Sequence, residues 1–550
     1  MCSSKCQTFF FFGSFLGILC QLFAEEPLHR RIDEIIQRKA GKAPFAEIAD
    51  DANFFRRVNL DLTGVIPQSA EVLAYLEDKS KDKRSKLIDR LLSDDSFGVH
   101  WAERLSIMLL KRLDQGKISK EDWQKYLILT LREKPRWDQM VHDMIEGKGK
   151  GASRPAMKFL GTANHHAMTE SIARIFLGMD LTCAKCHDHP SVSEWKQAHY
   201  WGLFAYLNQT KQATNNKEKK TYLAEGLAVK KVEFESVFDL EKMTTGPRLP
   251  GADEVAIPQF EKGQEFESPA ADGLPAVPKF RPREILAKDL TDKKNLLFAR
   301  NSVNRIWFLI MGRGLFHPLN QMHGKNPPAQ PELLEYLVKD FIANDFDLRR
   351  MIREVLLSDA YQRSGSLPKG VESVKIESYR VRYPKGLTPE QLLRSLLRAT
   401  GNSEEAAALK AEPDAEKFDR RGYFTGTNTN LPPTLQEIEQ IFIQTFGEPP
   451  GEAEVDFSPG INKSLFLMND RLIQHWLKPR KGNLVDRLVK LAEPEKVSRE
   501  LYLSVLSRLP DEEEQAWVAD YMKSNPERST EAIGDLAWAL LNSSEFRFNH

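Results

Sequence analysis

The sequence predicts a mainly α-helical protein with two helical domains, joined by a proline-rich linker that carries a small β-rich insert. Three observations support this fold class. Apolar residues recur at helical spacing over most of the chain, start and stop signals bracket many of these runs, and one central stretch breaks the pattern. The chain has 550 residues, 41% hydrophobic and 28% charged, which is the composition of a globular protein with more than one domain.

The first 24 residues have the layout of a secretory signal peptide. Lys5 precedes an apolar stretch from Phe9 to Phe23, and Ala24 precedes an abrupt change to acidic residues. Two interpretations compete. One is retention as a membrane anchor, for which the stretch is short against a span of about 20 residues. The other is lipidation of Cys20, for which the preceding Leu19 is a poor fit. No second apolar stretch is long enough to cross a bilayer. We therefore expect an exported protein, periplasmic or secreted, with no transmembrane span after the leader is removed.

The balance of charged residues limits the classes of partner that the protein is expected to bind. Lysine plus arginine and aspartate plus glutamate number 78 each, so the formal net charge is zero. A nucleic-acid binder needs a basic surplus to displace counterions from phosphates, and a polybasic membrane anchor needs one as well. The sequence therefore predicts no nucleic-acid partner, although a local basic patch is compatible with a zero total.

Residues 25–210 form the predicted first helical domain. Thr169 is predicted to cap a helix that ends at Gly178. Ser191 and Glu194 form a capping-box pattern, which predicts that a helix through Leu207 begins there. Helical spacing also covers residues 26–40, 72–76, 87–92, 101–110 and 122–131.

The character of the sequence changes over residues 211–282. Polar sequence gives way to a short alternating segment, Val229–Phe234, and seven prolines follow between Pro247 and Pro282. This pattern predicts a linker with a small β-rich insert.

Residues 283–550 form the predicted second helical domain. Thr388 and Pro389 begin one helix and Gly401 ends it. The Arg-rich segment 300–307 is interpreted as a packed helix with a solvated basic side. Helical spacing also covers residues 295–311, 332–343 and 348–357, and it predicts two more helices within 498–546.

The main candidate for a cofactor-binding site is the run Cys183-Ala184-Lys185-Cys186-His187, which is the only C-x-x-C-H in the sequence. C-x-x-C-H is the attachment motif for c-type haem. Two thiols about one helical turn apart can add to the two vinyl groups of a porphyrin, and the adjacent imidazole can bind the iron as proximal ligand. The other cysteines, Cys2, Cys6 and Cys20, lie in the leader, and an exported chain suits covalent haem attachment.

The sixth iron position has several candidate ligands or stays open. The candidate distal ligands are His165, His166, Met168, Met179 and His199. Apolar side chains suited to a porphyrin face are Ile175, Phe176, Met179, Trp195 and Phe204.

Two other interpretations of the motif stay open. Cys183 and Cys186, with His187 or His189 and one of His165 and His166, have the donor types of a tetrahedral zinc site. The two cysteines are also compatible with a short disulfide or redox pair.

Three functions are therefore carried forward. The first is an exported cytochrome c-like protein with one covalent haem c, working with a redox partner protein in electron transfer or in redox or ligand sensing. The second is an extracytoplasmic binding or scaffold protein with zinc at the motif. The third is a secreted enzyme acting on polysaccharide, for which the sequence offers no Gly-x-Ser-x-Gly or His-Glu-x-x-His pattern. Neither the reaction nor the oligomeric state is predicted.

Long ordered blocks resemble two families. FFRRVNLDLTGVIPQSAEV, KRSKLIDRLL and RIFLGMDLTCAKCHDHPSVSEWKQAHYWGLFAYL resemble the planctomycete cytochrome-associated (PSCyt-type) domain of unknown function. LLFARNSVNRIWFLIMGRGLFHPLNQM, LTPEQLLRSLL and LLNSSEFRF resemble its usual partner, the planctomycete PSD-type domain of unknown function. The resemblance covers most of residues 30–210 and 280–550. It implies a secreted or periplasmic, cytochrome-like protein, often with an additional cytochrome c domain, and it implies no substrate.

Overall fold

The computed structural model confirms the predicted fold class, which is mainly α-helical with small β-inserts. It describes residues 26–402, 419–425, 434–452 and 460–550, apart from 115, 148–150, 162–163, 239–240 and 492. The predicted signal peptide lies outside the described residues.

Nine α-helices of the described residues precede the β-insert. They are Leu28–Ala40 (α1), Asp51–Thr63 (α2), Ser69–Glu77 (α3), Lys83–Ser93 (α4), Asp95–Leu110 (α5), Lys120–Glu133 (α6), Trp137–Glu146 (α7), His165–Leu177 (α8) and Gln197–Leu207 (α9). Short 3-10 helices lie at Gly151–Leu160 and Cys183–Lys185.

The β-insert consists of two-stranded antiparallel sheets. Its strands are Thr210–Asn215 (β1) with Lys220–Glu225 (β2), Val232–Glu235 (β3) with Lys242–Thr245 (β4), and Phe266–Ser268 (β5) with Val277–Pro278 (β6). A last pair joins Lys385–Gly386 (β7) to Phe548–Asn549 (β8), near the end of the chain.

Helices fill the rest of the described chain. They are Pro282–Leu290 (α10), Leu296–Met311 (α11), Pro331–Ala343 (α12), Leu348–Leu357 (α13), Asp359–Gln362 (α14), Pro389–Thr400 (α15), Arg420–Thr425 (α16), Leu435–Phe446 (α17), Ile461–Asn469 (α18), Arg471–Trp476 (α19), Leu484–Leu491 (α20), Pro494–Leu506 (α21), Glu512–Ser524 (α22), Ser529–Leu541 (α23) and Ser544–Arg547 (α24). Further 3-10 turns lie at Ile376–Ser378 and Pro526–Arg528.

Two hydrophobic cores organise these helices. The larger, core 1, packs residues of α1–α9 together with residues of α10–α14, including Phe54, Phe176 and Trp307. The smaller, core 2, contains residues of α15 and of α17–α24, and it also includes Leu60 of α2. Helix α2 therefore belongs to both cores, because Val58 and Leu62 lie in core 1.

The helix signals were accurate where a local cap fixes the end. Thr388 begins α15 with a capping box to Gln391, and Gly401 ends it at a φ of 70°, a left-handed conformation that glycine adopts without strain. Gly178 ends α8 in the same way, at a φ of 68°.

Two predicted helix starts near the motif were wrong. Asn164, not Thr169, caps α8, and the Thr169 hydroxyl instead donates to the carbonyl of His165. Ser191 and Glu194 do not open a helix, because Glu194 accepts the backbone N–H of Gly324 and the chain turns until α9 begins at Gln197. The Glu194 carboxylate, which the capping-box pattern assigned to a helix start, is instead engaged by a distant segment of the chain.

The end of the chain has more helices than predicted. Residues 494–541 contain three helices of thirteen residues each, α21, α22 and α23, and the four-residue α24 follows. The breaks fall at Pro510, which precedes the cap Asp511, and at Pro526. Among the described residues, no helix combines the length and the apolar character needed to cross a bilayer.

Candidate functional site: the CAKCH turn

The CAKCH residues form one tight turn at the surface. The N–H groups of Cys186 and His187 both donate to the carbonyl of Cys183, at 3.2 and 3.4 Å. Both cysteines are exposed and neither is in a disulfide. The turn therefore presents two thiols about one helical turn apart, the spacing that two thioether links to one porphyrin edge require.

The imidazole of His187 has one nitrogen engaged by the backbone. Its Nδ1 lies 2.7 Å from the carbonyl oxygen of Asp188. Since a carbonyl can only accept, Nδ1 carries the proton, and Nε2 of the neutral ring keeps its lone pair. A backbone hydrogen bond of this kind fixes tautomer and ring orientation in metal-binding histidines. His187 is thus prepared to donate Nε2 to a metal.

Helix α9 and the β-insert together hold the turn. The Lys185 carbonyl accepts from Nε2 of Gln197 at 3.3 Å and from the indole N–H of Trp201 at 3.1 Å. Nε2 of Gln197 also donates to the Glu235 carbonyl at 2.9 Å. The N–H of Val237 donates to the Cys186 carbonyl at 3.1 Å. A segment some fifty residues beyond the motif therefore fixes its geometry.

The same segment supplies an apolar surface that sequence reasoning missed. The ring of Phe238 lies 4.9 Å from the His187 ring, centroid to centroid, and 78% of the residue is exposed. Val237 beside it is 57% exposed. Exposed apolar side chains next to two thiols and an imidazole provide a surface for a flat apolar ring. Nothing in local spacing could have indicated that pairing.

Asp188 does not orient either neighbouring imidazole through its carboxylate. Oδ1 accepts the N–H of Gln197 at 2.8 Å and Oδ2 accepts Nζ of Lys196 at 2.9 Å. Partial burial acts to raise the pKa of this carboxyl, but the two hydrogen bonds outweigh it and the pKa lies below its usual value. Asp188 therefore anchors the start of α9 to the motif.

The Nδ1 lone pair of His189, one of the predicted zinc ligands, is engaged by the backbone. Its Nδ1 accepts the N–H groups of Ser191 and Val192, at 3.2 and 3.1 Å. Its ring meets Trp195 edge-on at 5.2 Å. In the described part of the chain, three or more ligand atoms lie within 4.8 Å of one another only at Glu103, Glu390 and Glu439. The predicted zinc ligands Cys183, Cys186, His187 and His189 are not gathered to that extent.

Of the candidate distal ligands, His166 has the contacts closest to the motif. Its ring stacks on Phe204 at 4.7 Å, its Nδ1 lies 2.6 Å from the Tyr200 hydroxyl, and it meets Trp201 at 5.9 Å. Burial first, and then the charge of Lys185, lower the pKa of His166. Since Trp201 also bonds to Lys185, one aromatic cluster connects His166 to the CAKCH turn.

The other distal candidates have different surroundings. Nε2 of His165 lies 2.8 Å from the carbonyl of Thr210, and Nδ1 of His199 accepts the N–H of Lys196. Met168 and Met179 are buried in core 1. Most of the predicted porphyrin-facing side chains are buried in core 1 as well, namely Ile175, Phe176, Met179 and Trp195. Phe204, the remaining one, is half-buried beside His166.

The carboxylate group at Glu103, Glu390 and Glu439 is an ion-pair network. Arg394 binds Glu103 in a bidentate pair at 2.8 and 2.9 Å, and Arg112 binds Glu390 at 2.5 Å. Burial, followed by the charge of Glu390, raises the pKa of Glu103 to about 7. Because the network joins α5 of core 1 to α15 and α17 of core 2, it ties the two cores together.

Two family models match the chain. Residues 31–212 match PSCyt2, a protein of unknown function (DUF1549), and residues 282–522 match PSD1, a protein of unknown function (DUF1553). The protein is thus mainly helical, and the CAKCH turn lies on the surface of the region that matches PSCyt2. The chain belongs to these families, with a PSCyt2 domain followed by a PSD1 domain, in the predicted order. Neither the curated proteins nor the solved structures gave a match.

Proposed function

We propose that this protein is an exported cytochrome c-like protein with one haem covalently attached through Cys183 and Cys186. His187 is its proximal ligand. It acts with a redox partner protein, in electron transfer or in redox or ligand sensing. The observation that carries the proposal is the hydrogen bond from Nδ1 of His187 to the Asp188 carbonyl, which leaves Nε2 available beside two exposed thiols.

The residues present fit a c-type haem. Two free thiols, an imidazole with one protonated and one available nitrogen, and the exposed ring of Phe238 are the donor set and surface that such a group needs. When bound, haem supplies one-electron chemistry at iron. The chain contributes positioning: Gln197 and Trp201 hold the turn through the Lys185 carbonyl, and Phe238 shields one side of His187 from water.

The two alternative functions have less support. A zinc-held scaffold uses thiols and imidazoles of the right chemistry, but Nδ1 of His189 is occupied by two backbone N–H groups. A polysaccharide-cleaving enzyme needs two carboxylates free to act as acid and base. Within the carboxylate group described above, Glu103 and Glu390 are each held by an arginine.

Expression with its leader in a bacterial host that has a cytochrome c maturation system tests the proposal. We expect a coloured protein, one haem per chain by the pyridine haemochrome assay, and haem that stays bound after denaturation. Cys183→Ser with Cys186→Ser should remove the covalent haem. Lys185→Ala, which changes a variable position of the motif, is the matched control and should keep it.

The same preparations separate haem from zinc. A colourless wild-type protein from a competent host overturns the haem proposal. Stoichiometric zinc in that protein, lost in His189→Ala, would support the scaffold hypothesis instead. If His189→Ala retains the haem of the wild type, the haem assignment is supported further, because C-x-x-C-H attachment does not use residue 189.

A further inference from the structure

A cavity of about 950 Å³ lies between the two hydrophobic cores. Helices α5, α8 and α11 line one side, and α15, α17 and α18 line the other, together with β7 and β8. The described residues that line it include none of the CAKCH run. A pocket of this size holds a ligand as large as a drug molecule or a short oligosaccharide.

Positive charge is concentrated in this cavity. Its basic lining residues are Arg104, Lys111, Arg174, Arg305, Lys385, Lys463 and Arg547. Its acidic lining residues, among those described, are Glu448 and Glu452. Lys385 pairs with the buried carboxylate of Asp61 at 2.5 Å, which leaves six basic residues against two carboxylates in the lining. Because the whole chain is neutral, this is a local excess of positive charge.

Arg305 is the unusual member of this set. The sequence pattern placed it on a solvated basic side of α11, but it is only 6% exposed. One terminal nitrogen donates to the carbonyl of Arg174 at 2.6 Å, and Nε has no hydrogen-bond partner. Burial lowers its pKa to about 10, with no carboxylate opposing that effect. A buried guanidinium without a counterion is costly to the fold, which indicates a role other than stability.

Lys111 lies close enough to Arg174 and Arg305 for both charges to act on it. Lys111 and Arg112 both have positive φ, 49° and 57°, a strained conformation for residues with side chains. This turn at the end of α5 brings Lys111 to the cavity, while Arg112 pairs with Glu390. The charges of Arg174 and Arg305 act, after burial, to lower the pKa of Lys111.

Nearby carboxylates only partly offset these cations. Glu170 pairs with Arg174 at 3.5 Å. Asp180 accepts from the N–H and hydroxyl of Thr182 and from the amide of Asn320. Neither forms an ion pair within 4.0 Å with Lys111 or Arg305, so the described structure leaves two positive charges there without a contacting anion.

The opposite wall adds two cations and an apolar surface. Arg547 donates to the Ser464 hydroxyl at 3.3 Å, and Lys463 precedes that serine on α18. Apolar side chains of the lining include Phe308, Leu319, Phe446, Leu467 and Phe548. Anionic groups on a carbon skeleton match this mixture better than a free inorganic ion does.

We propose that this cavity binds an organic polyanion, a molecule that carries two or more carboxylate, sulfate or phosphate groups on one carbon skeleton. Lys111, Arg174 and Arg305 hold one anionic group, and Lys463 with Arg547 attracts another. Charge-assisted hydrogen bonds from the guanidinium groups fix the oxyanions. The proposal is independent of haem attachment, because its residues do not belong to the motif.

Titration calorimetry on the full chain tests this proposal with four probes. They are trigalacturonate for carboxylates, sucrose octasulfate for sulfates, inositol hexakisphosphate for phosphates, and sucrose as the neutral control. We expect at least one polyanion to bind at low ionic strength, with affinity falling about tenfold or more in roughly 0.5 M salt. The preferred probe identifies the anionic group. Binding of none, or binding of sucrose as tightly as the polyanions, overturns the proposal.

Variants of helix α11 separate a binding role from a structural one. Arg305→Met should weaken the preferred polyanion about tenfold or more while keeping or raising the melting temperature, because it removes an unpaired buried charge. Arg300→Met is the matched control, since Arg300 pairs with Glu335 on the surface and does not line the cavity. Unchanged affinity in Arg305→Met overturns the proposal.

A variant at the cavity edge covers the case in which Arg305→Met fails to fold. Lys463→Gln should weaken the same polyanion about threefold and reduce the salt dependence of binding. If Lys463→Gln and Arg300→Met bind the polyanion equally well, the cations of this cavity are not its site.

Discussion

The carboxylate of Asp61 on α2 lies 2.5 Å from the ammonium group of Lys385, which is 324 positions later in the chain. The same carboxylate accepts from the Tyr361 hydroxyl at 2.8 Å and from the amide of Asn549 at 2.9 Å. The guanidinium of Arg382 is 3.7 Å away. One buried acid of the PSCyt2 domain therefore holds together three segments that follow it.

Replacement of Asp61 tests this relationship. Asp61→Asn should lower the free energy of unfolding by about 3–5 kcal/mol, because Lys385 and Arg382 would remain buried without a counter-charge. Chemical denaturation with a fit of midpoint and slope measures the loss.

Asp89→Asn is the matched control for that substitution. Asp89 pairs with Arg353 at 2.6 Å, but both side chains are substantially exposed. Its loss should cost no more than about 1 kcal/mol. If both substitutions lower the free energy of unfolding by the same amount, the buried Asp61 carboxylate contributes no more to stability than an exposed ion pair does.

Glu103 gives the stability a defined dependence on pH. Its pKa is about 7 in the folded protein, raised by burial, against an ordinary value of 4.5. The folded state therefore holds the proton that the unfolded state releases between these values, so this residue's contribution to stability falls as pH rises from 4.5 to 7. Glu103→Gln should flatten that part of the profile, by up to about 3 kcal/mol.

Urea denaturation from pH 4.5 to 8 measures this effect. Glu335→Gln serves as control, because Glu335 is a half-exposed partner of Arg300. If the Glu103→Gln profile runs parallel to that of the wild type and of the control, the carboxyl does not titrate in this range.

The proposed haem attachment predicts that Phe238 influences the haem without being needed for its attachment. Phe238→Ala should leave one covalent haem per chain but lower the reduction potential, because greater access of water stabilises the more highly charged ferric state. Spectroelectrochemistry of the purified protein measures the potential.

Trp517→Ala is the comparison for Phe238→Ala, since Trp517 is also an exposed aromatic residue but lies on α22. Its potential should equal that of the wild type. If the reduction potential of Phe238→Ala equals those of the wild type and of Trp517→Ala, Phe238 does not lie against the haem.

The proposed signal peptide predicts how the protein is processed. In a bacterial host the exported product should begin near Glu25, as read by terminal sequencing of the extracytoplasmic fraction. Leu16→Arg, which places a charge in the apolar stretch, should leave the chain uncleaved inside the cell and without covalent haem. Leu16→Phe should be exported normally, and export of Leu16→Arg would contradict the signal-peptide assignment.

Local signals predicted the parts of the fold that depend on a few adjacent residues. The cap at Thr388 and the stop at Gly401 follow from residues within one turn, and the bounds of α13 follow from apolar spacing along one helix. The two wrong helix starts, at Thr169 and Ser191, came from the same kind of signal. There, Asn164 caps α8 while the Thr169 hydroxyl donates to the His165 carbonyl, and Glu194 accepts from the N–H of Gly324.

The sequence by itself determined the helical class, the order of the two families and the run of two thiols and an imidazole, because each is written in neighbouring residues. Only the tertiary structure decided that Phe238 lies against His187 and that Arg305 is buried beside Arg174. Periodicity tells which residues share a face of one helix. It cannot tell which distant segment covers that face, and burial, charge pairing and cavity shape all depend on that packing.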